Sequence, residues 1–293
     1  MKMTGEKGVI GFIGIGVMGK SMAGHLLKDG YPVLVYTRTK EKATELIEAG
    51  AGWMETIEEL ASQSDYIITM VGYPSDVEEI YLSENGILNS AKEGTYVIDM
   101  TTSKPSLAKE IYEAATQRHI HALDAPVSGG DVGAREARLS IMAGGDQEAF
   151  DACMPIFSVI GQNIVYQGEA GSGQHTKMCN QIAIAAGMVG VSEAIAYAKN
   201  AGLDPENVLK SISAGAAGSW SLSNLAPRML KEDFEPGFYV KHFIKDMDIA
   251  IEEADHMKME VPGLALAHSL YTELQKKGEG DSGTQALYKL WKS

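Results

Sequence analysis

Short apolar runs fill the first half of the chain, and charged stretches with helical character separate several of them. Such runs predict buried strands, because a strand covered on both faces is apolar throughout. We predict strands at Val9–Ile15, Val33–Tyr36, Tyr66–Val71, Thr95–Asp99, His119–Asp124, Leu139–Ala143 and Ile164–Tyr166. We predict helices at Gly19–Lys28, Lys40–Ala49, Ile57–Gln63, Val77–Leu82 and Ser106–Arg118. The alternation indicates a largely parallel, doubly wound α/β sheet with helices on both faces.

The pattern changes near Gly168, beyond which no apolar run predicts a strand. Residues 173–200 form one long, mostly apolar segment that predicts a helix ending before Ala201 and Gly202. Further helices are predicted at 205–215, 219–231, 240–258, 262–277 and 281–291. The chain is therefore expected to form an α/β domain over residues 1–167 and an all-α domain over residues 168–293.

The long helix at 173–200 also predicts an assembly. A helix that is apolar on most of its faces has to be buried, and a domain of this size does not easily bury it alone. We therefore expect a homo-oligomer in which this helix packs against a second copy. Cys179 is expected to be a small packing thiol within the helix.

Composition excludes several classes of partner. The 293 residues carry a formal net charge of −14, whereas DNA, RNA and anionic membranes are bound by basic surfaces. Two cysteines are too few for a disulfide scaffold and suit a reducing cytosol. The apolar run at 182–191 is well short of the roughly 20 residues of a membrane-spanning helix. No apolar signal core precedes Val9, so we expect a cytoplasmic protein.

A glycine-rich turn follows the first predicted strand and opens a helix, since residues 14–19 read Gly-Ile-Gly-Val-Met-Gly. This spacing in this context predicts dinucleotide binding, with the phosphates at the positive end of the helix dipole. Gly14 permits the tight turn, Gly16 lets backbone N–H groups approach a pyrophosphate, and Gly19 lets helix and strand pack closely. The residues expected at the cofactor here are Gly14, Gly16, Val17, Met18 and Gly19.

The second predicted strand ends in Thr37, Arg38 and Thr39, where an Asp or Glu usually meets the ribose of NAD. The guanidinium of Arg38 can bind the 2′-phosphate of NADP, and the two threonines add hydroxyl donors. The sequence therefore favours NADP over NAD. The alternative is that Arg38 stacks on the adenine or lies in solvent.

Other candidate ligand groups lie in loops that leave the carboxyl ends of strands, where such sheets bind ligands. Ser128, Gly129 and Gly130 form a short donor site of a hydroxyl and backbone N–H groups that suits a carboxylate. Thr102 is expected near the nicotinamide end of the cofactor. The residues expected to flank the cofactor are Met70, Val71 and Thr102.

Lys177, Asn180 and Gln181 share one helix face at the predicted domain junction, because they are spaced i, i+3 and i+4. Partial desolvation and an oxidised nicotinamide would lower the pKa of such a lysine, which suits general acid–base chemistry on an alcohol or carbonyl. The alternative is a lysine that extends into solvent from a helix start. No histidine has ligand spacing with cysteines or carboxylates, so no metal is expected.

Lys245 is expected to open a further amphipathic helix, where a cation is unfavourable with respect to the helix dipole. This position suggests an anionic partner for Lys245. An ion pair with Asp246 or Asp248 explains it equally well.

Four motifs together resemble those of the β-hydroxyacid dehydrogenase family: GFIGIGVMG at 11–19, DAPVSGG at 124–130, GQHTKMCNQ at 173–181 and Lys-Asp at 245–246. The resemblance runs over nearly the whole chain. It implies a Rossmann domain followed by an all-α domain, usually in a homodimer or homotetramer. It implies that Lys177 is the catalytic acid/base and that Ser128, Gly129 and Gly130 bind the substrate carboxylate. It implies that Asn180 and Gln181 orient the substrate and the lysine. It also implies that Phe238 forms a wall of the pocket and that Lys245 lies beside cofactor and substrate.

The implied activity is NAD(P)-dependent interconversion of a short 3-hydroxy acid and its semialdehyde, as in 3-hydroxyisobutyrate dehydrogenases. The alternative is a tartronate semialdehyde (2-hydroxy-3-oxopropionate) reductase or a related small-aldehyde reductase. Many of the dehydrogenases carry two asparagines where this chain has Asn180 and Gln181, which are closer to the reductases. Residues 131–138 match neither subgroup, and Arg135 and Arg138 either add positive field at the carboxylate site or are surface charges.

Overall fold

The computed structural model describes residues 7–292, and contacts divide the chain into a first unit that ends at Lys177 and a second that begins at Met178. The first unit contains a nine-stranded sheet. Its strands are β1 (Ile10–Ile13), β2 (Val33–Tyr36), β3 (Gly52–Trp53), β4 (Tyr66–Thr69), β5 (Tyr96–Asp99), β6 (His121–Asp124), β7 (Val127–Ser128), β8 (Leu139–Gly145) and β9 (Gly161–Gly168). The domain limits of 1–167 and 168–293 stay a prediction.

The strand order is β3-β2-β1-β4-β5-β6-β8-β7, with β9 paired to β8. The six strands from β3 to β6 are parallel, β8 runs antiparallel to β6 and β7, and β9 runs parallel to β8. The chain proceeds from β1 to one side through β2 and β3, and then to the other side through β4, β5 and β6. The order therefore reverses between β1 and β4, which is where a doubly wound sheet binds its ligand.

Helices cover both faces of this sheet, as the apolar strands predict. They are α1 (Val17–Lys28), α2 (Thr44–Glu48), α3 (Ile57–Gln63), α4 (Pro74–Leu82), α5 (Ile87–Ser90), α6 (Pro105–Thr116), α7 (Gly130–Arg135) and α8 (Gln147–Ile160). Phe12 and Ile13 are adjacent in β1 and belong to two different apolar clusters, because successive side chains of a strand point to opposite faces. The doubly wound α/β prediction is confirmed.

The second unit is helical. Its elements are the remainder of α9 (Ser172–Asn200), then α10 (Pro205–Ile212), α11 (Trp220–Asn224), α12 (Ala226–Leu230), α13 (Val240–His256) and α14 (Pro262–Leu274). Its core packs Met188 and Ile195 of α9 with Phe243 of α13 and Tyr271 of α14. Between residues 178 and 292 the strand-like pairing is an isolated bridge of Tyr239 with Gly283, so the all-α prediction is confirmed.

The helix α9 is long and apolar enough to cross a membrane by length and composition alone. Half of its most apolar segment is buried inside the fold, and the core helices of soluble proteins have the same length and composition. Cys179, expected to be a packing thiol in this helix, is exposed in the single chain, so it does not pack within the described fold.

Several element predictions are wrong in detail. The 14-residue helix α8 was not predicted, because Pro155 inside it interrupts the helical pattern. The two-residue strands β3 and β7 are too short to show periodicity. The helix predicted at 219–231 is two helices that break at Leu225, and the last predicted helix is a 3-10 helix over Thr284–Trp291.

Candidate functional site

The glycine turn after β1 has the geometry that the sequence predicts. Gly14 has a φ of +99°, and a Cβ on it would lie 2.2 Å from the carbonyl oxygen of Met70. A Cβ on Gly19 would lie 2.0 Å from the carbonyl oxygen of Gly14. A Cβ on Gly16 would meet no atom within 4 Å. Gly14 and Gly19 are therefore required by the protein's own packing, whereas the space at Gly16 is open to a ligand.

The amino end of α1 is suited to an anion. Gly16 caps this helix without a side-chain hydrogen bond, and its first turn, with Val17 and Met18, contains no acidic residue. The N–H groups of a helix's first turn have no partner within the helix, and the dipole favours a negative charge there. These residues fit the pyrophosphate of a dinucleotide.

Thr37, Arg38 and Thr39 follow β2 at the neighbouring strand end. The Arg38 side chain is 82% exposed, and its Nη1 lies 3.3 Å from Asp76 Oδ1. Asp76 Oδ2 also accepts a hydrogen bond from the backbone N–H of Tyr73, at 3.2 Å. An exposed ion pair of this length contributes little energy, so the guanidinium remains available to a phosphate.

The loops after β4 and β5 are tied to each other. The backbone N–H of Val71, beside Met70, donates to Thr101 Oγ1 at 3.0 Å, and the Thr101 N–H donates to Asp99 Oδ1 at 3.0 Å. Thr102, the residue expected near the nicotinamide, follows directly and is half-buried. Both loops leave the carboxyl edge of the sheet on one side of the glycine turn.

Ser128 ends β7, and Gly129 and Gly130 begin the next turn with φ of +131° and +63°. Both angles lie in the region that favours glycine, so this loop has little tolerance for other residues. Arg135 pairs with Asp131 at 2.7 Å, and Arg138 pairs with Glu136. Both arginines are half exposed and neutralised locally, as surface charges are.

Lys177 lies in α9 and is only 7% exposed. Its Nζ donates to the carbonyl oxygen of Val127 at 2.8 Å, which brings the ammonium beside Ser128. This observation excludes the alternative of a lysine that extends into solvent. The structure therefore joins two predicted site elements within the first unit, the lysine and the Ser-Gly-Gly loop.

Two residues of the predicted motifs acquire contacts that sequence reasoning missed. Asp124 accepts the N–H groups of Gly171 and Gln174, both at 2.8 Å, and Gln174 binds the loop around Thr102. Burial raises the pKa of Asp124 to about 6, against the opposing effect of these hydrogen bonds. Asp124 lies in the motif at 124–130 and Gln174 in the motif at 173–181. No local sequence pattern assigns a role to either residue.

A second polar group forms within the second unit. Asn180 Nδ2 donates to Gln181 Oε1 at 2.7 Å, and Gln181 Nε2 donates to Asp246 Oδ2 at 2.5 Å. Lys245 Nζ lies 2.9 Å from Asp246 Oδ1. Of the two ion pairs left open from the sequence, the structure has the one with Asp246, while Asp248 binds His268 at 2.7 Å.

The helix α13 begins at Val240, as the predicted helix at 240–258 does, so Lys245 lies five residues after the helix start and does not open the helix. The argument from the helix dipole is therefore wrong for Lys245. Phe238, just before this helix, is half-buried and packs on Phe243 with ring centroids 5.4 Å apart. Burial, followed by the charges of Lys245 and Lys241, lowers the pKa of His242.

Across residues 7–292, no group of three or more His, Cys, Asp and Glu side chains is placed to hold a metal ion. The chemistry available to the described site is that of a buried amine, a hydroxyl, amides and backbone N–H groups.

Comparison with protein-family models identifies both parts of the chain. Residues 9–168 match the model for the NAD binding domain of 6-phosphogluconate dehydrogenase. Residues 171–291 match the model described as NAD-binding of NADP-dependent 3-hydroxyisobutyrate dehydrogenase. Together the two models extend over almost the whole length.

Relatives match over nearly their full lengths. The chain is 70% identical to the uncharacterized oxidoreductase YkwC of Bacillus subtilis, over 97% of this chain and 99% of the relative. It is 50% identical to the probable mitochondrial 3-hydroxyisobutyrate dehydrogenase-like protein 1 of Arabidopsis thaliana, over 95% of this chain and 83% of the relative. It is 36% identical to the 2-hydroxy-3-oxopropionate reductase of Escherichia coli, over 95% of each chain.

Among solved structures, the 3-hydroxyisobutyrate dehydrogenase of Mycobacterium tuberculosis with L-serine matches with a TM-score of 0.90 and 26% identity, over 98% of this chain and 100% of that one. The glycine turn, the buried lysine and these matches lead to one conclusion: the chain belongs to the β-hydroxyacid dehydrogenase family and is an NAD(P)-dependent oxidoreductase that acts on hydroxyl groups.

Proposed function

We propose that this enzyme interconverts a short 3-hydroxy acid and its semialdehyde, with 3-hydroxyisobutyrate as the first candidate substrate. The observation that carries the proposal is the ammonium of Lys177, buried and held 2.8 Å from Val127 O beside Ser128. This arrangement suits a substrate with a carboxylate and a reacting oxygen on the second carbon after it, as in a 3-hydroxy acid. A cation close to the reacting oxygen stabilises developing negative charge without a metal.

A second candidate is reduction of 2-hydroxy-3-oxopropionate. The pair Asn180 and Gln181 favours it, because the pair resembles the reductases more than the many dehydrogenases that carry two asparagines there. In this chain the Gln181 amide is hydrogen-bonded to both Asn180 and Asp246. The Escherichia coli relative is named for this activity. The same lysine chemistry serves both substrates.

Within this proposal, Gly14, Gly16 and Gly19 shape the turn for the pyrophosphate, and a bound nicotinamide supplies or accepts the hydride. Arg38 carries the proposed preference for NADP over NAD, through its exposed guanidinium. The further residues assigned to the cofactor are Val17, Met18, Thr37, Thr39, Met70, Val71, Thr102 and Lys245.

The chain's own groups supply binding and proton transfer. Ser128, Gly129 and Gly130 hold the carboxylate, which fixes the distance and angle of the reacting carbon. In reduction Lys177 gives a proton to the nascent alkoxide, and in oxidation it takes that proton back. Asn180 and Gln181 are assigned to orientation, and Phe238 to a wall of the pocket.

A cofactor absorbance assay tests the function. The purified enzyme is given NADP and NAD with a panel of 3-hydroxy acids, and NADPH and NADH with the corresponding semialdehydes. The proposal predicts turnover of 3-hydroxyisobutyrate, and a higher kcat/KM with NADP. A higher kcat/KM for 2-hydroxy-3-oxopropionate selects the second candidate, and a tenfold preference for NADH contradicts the proposed cofactor. No turnover of any member contradicts the function.

We also propose a homodimer or homotetramer built on α9. This helix exposes a face of mostly small residues in the single chain, and Tyr197 on it is 75% exposed. The exposed residues of α9 are Cys179, Ala183, Ala186, Gly187, Gly190, Glu193, Tyr197, Lys199 and Asn200. Sedimentation at micromolar concentration should show a dimer or tetramer, and a stable monomer contradicts this proposal.

A further inference from the structure

Gln174 binds the backbone on both sides of Thr102. It is fully buried, and its Oε1 accepts the N–H of Ser103 at 2.9 Å. Its Nε2 donates to the carbonyl oxygen of Thr101 at 2.7 Å. One neutral amide therefore fixes the loop that carries Thr102, using a donor and an acceptor at once.

The main chain of Gln174 is fixed as well. Its N–H donates to Asp124 Oδ2 at 2.8 Å, and the Gly171 N–H donates to Asp124 Oδ1 at 2.8 Å. Asp124 ends β6, so the first turn of α9 is attached to a rigid strand. Lys177 follows Gln174 by three residues, on the next turn of the same helix, and reaches Val127 O at 2.8 Å.

We propose that Gln174 is a positioning residue that sets the placement of the Lys177 ammonium relative to Thr102. Gln174 acts through these two residues, since its own polar atoms are engaged by the protein. The inference rests on the proposed function, in which Lys177 transfers the proton and Thr102 lies near the nicotinamide. A displacement of about 1 Å between such groups costs on the order of 100-fold in rate.

The test compares Gln174→Met with Gln285→Met in the full-length enzyme. Gln285 is a matched control, because it is also buried and its Nε2 donates to the backbone carbonyls of Asp233 and Glu235, both at 3.0 Å, far from Lys177 in sequence. Methionine keeps the length of each side chain and removes its hydrogen bonds. Both variants should lower Tm, and all rates are measured below the Tm of each variant.

For Gln174→Met we expect kcat to fall about 30-fold, with KM values for substrate and cofactor within about threefold of wild type. For Gln285→Met we expect kcat within about twofold of wild type. If Gln174→Met has a lowered Tm and a wild-type kcat, as expected for Gln285→Met, the role of Gln174 is merely structural and the proposal is overturned.

Gln174→Glu gives a second signature. A protonated carboxyl group reproduces both hydrogen bonds, whereas the ionised form repels Thr101 O and the carboxylates of Asp99 and Asp124. The neighbouring cations are Lys177 on the next turn of α9 and Lys109 against Gly171. The ratio of its kcat to wild type should rise about fivefold from about pH 8.5 to about pH 6, while the ratio for Gln174→Met stays flat. Equal pH dependence in the two variants contradicts the proposal. Should the Met variant not fold, this isosteric variant carries the test.

Failure of the proposed function has a different outcome, since wild type would then turn over no substrate of the panel. A crystal structure of the Gln174→Met variant supplies a readout that needs no turnover. A shift of the Lys177 Nζ relative to the Thr102 backbone by about 1 Å supports the positioning role. An unchanged position overturns it.

Discussion

The glycine turn after β1 and the first turn of α9 are both anchored at the carboxyl edge of the sheet, and they are held in opposite ways. The glycine turn depends on atoms that are absent, since a Cβ on Gly14 or Gly19 would collide with backbone oxygen at 2.2 or 2.0 Å. The turn of α9 depends on polar atoms that are present, on Asp124 and Gln174.

This difference determines how each region fails. The glycine turn should lose stability at any pH when a methyl group is added to Gly14 or Gly19, because the added group collides with backbone oxygen. The start of α9 should lose stability when a hydrogen bond is removed, and this stability should depend on the protonation of Asp124. The following predictions test this contrast.

The largest effect on stability is expected from Gly19→Ala. Its Cβ would lie 2.0 Å from Gly14 O, so the backbone of the turn has to move. The free energy of unfolding should fall by about 3 kcal/mol, as measured by urea unfolding. Gly24→Ala on the same helix is the control, because its nearest atom would be Leu46 Cδ2 at 3.6 Å, and it should be neutral or slightly stabilising. Equal stability of the two variants contradicts the steric account.

A comparable effect, dependent on pH, is expected at Asp124. Burial raises its folded pKa to about 6, so the folded state binds the proton more tightly than the unfolded state, and wild-type stability falls as pH rises from about 4 to about 6. Asp124→Asn has no such titration. The stability difference between wild type and this variant should therefore shrink by up to about 3 kcal/mol over that range and stay level above it.

Urea unfolding of both proteins at several pH values measures this difference directly. Other titrating groups cancel in the comparison where they are distant from residue 124. A stability difference that is constant between about pH 4 and pH 7 would show that Asp124 is not held with a raised pKa.

Gly16→Ala should separate cofactor binding from folding. Its Cβ would meet no protein atom within 4 Å, so Tm should not change. The methyl group would occupy the approach to the pyrophosphate and raise the Kd for NADPH about 30-fold, which is about 2 kcal/mol. Fluorescence titration and thermal unfolding give the two readouts. An unchanged Kd would place the pyrophosphate elsewhere.

The smallest effect is expected from Arg38→Ala. The loss of one charge-assisted contact to a 2′-phosphate should raise the KM for NADPH about 10-fold and leave the KM for NADH unchanged. Arg135→Ala is the matched control, since Arg135 is an exposed arginine paired with Asp131. Equal effects of Arg38→Ala on both cofactors would remove the proposed source of NADP preference.

The glycine turn could be predicted from sequence because its causes are local. Gly14, Gly16 and Gly19 lie within one strand–turn–helix unit, and each role follows from spacing alone. The long helix α9 was also predicted to within one residue of its start, because its apolar pattern is continuous. Local periodicity carries this kind of information.

The contacts of Gln174 could not be predicted in this way. Its hydrogen bonds join residues 71 and 73 positions apart, and those to Asp124 join residues 47 and 50 apart. Asp246 was seen only as one of two possible partners of Lys245, and its bond to Gln181 spans 65 positions. Such pairs are set by strand order and helix placement, which a single sequence does not display.

The most direct test of the central claim is the kcat of Lys177→Ala at saturating substrate and cofactor. Removal of a general acid–base should lower kcat by about 100-fold to 10,000-fold, while the Kd for NADPH stays within about threefold of wild type. Lys199→Ala, on the same helix, should retain wild-type kcat. A Lys177→Ala enzyme that keeps more than about a tenth of wild-type kcat would contradict the account, because the proton would then come from another group.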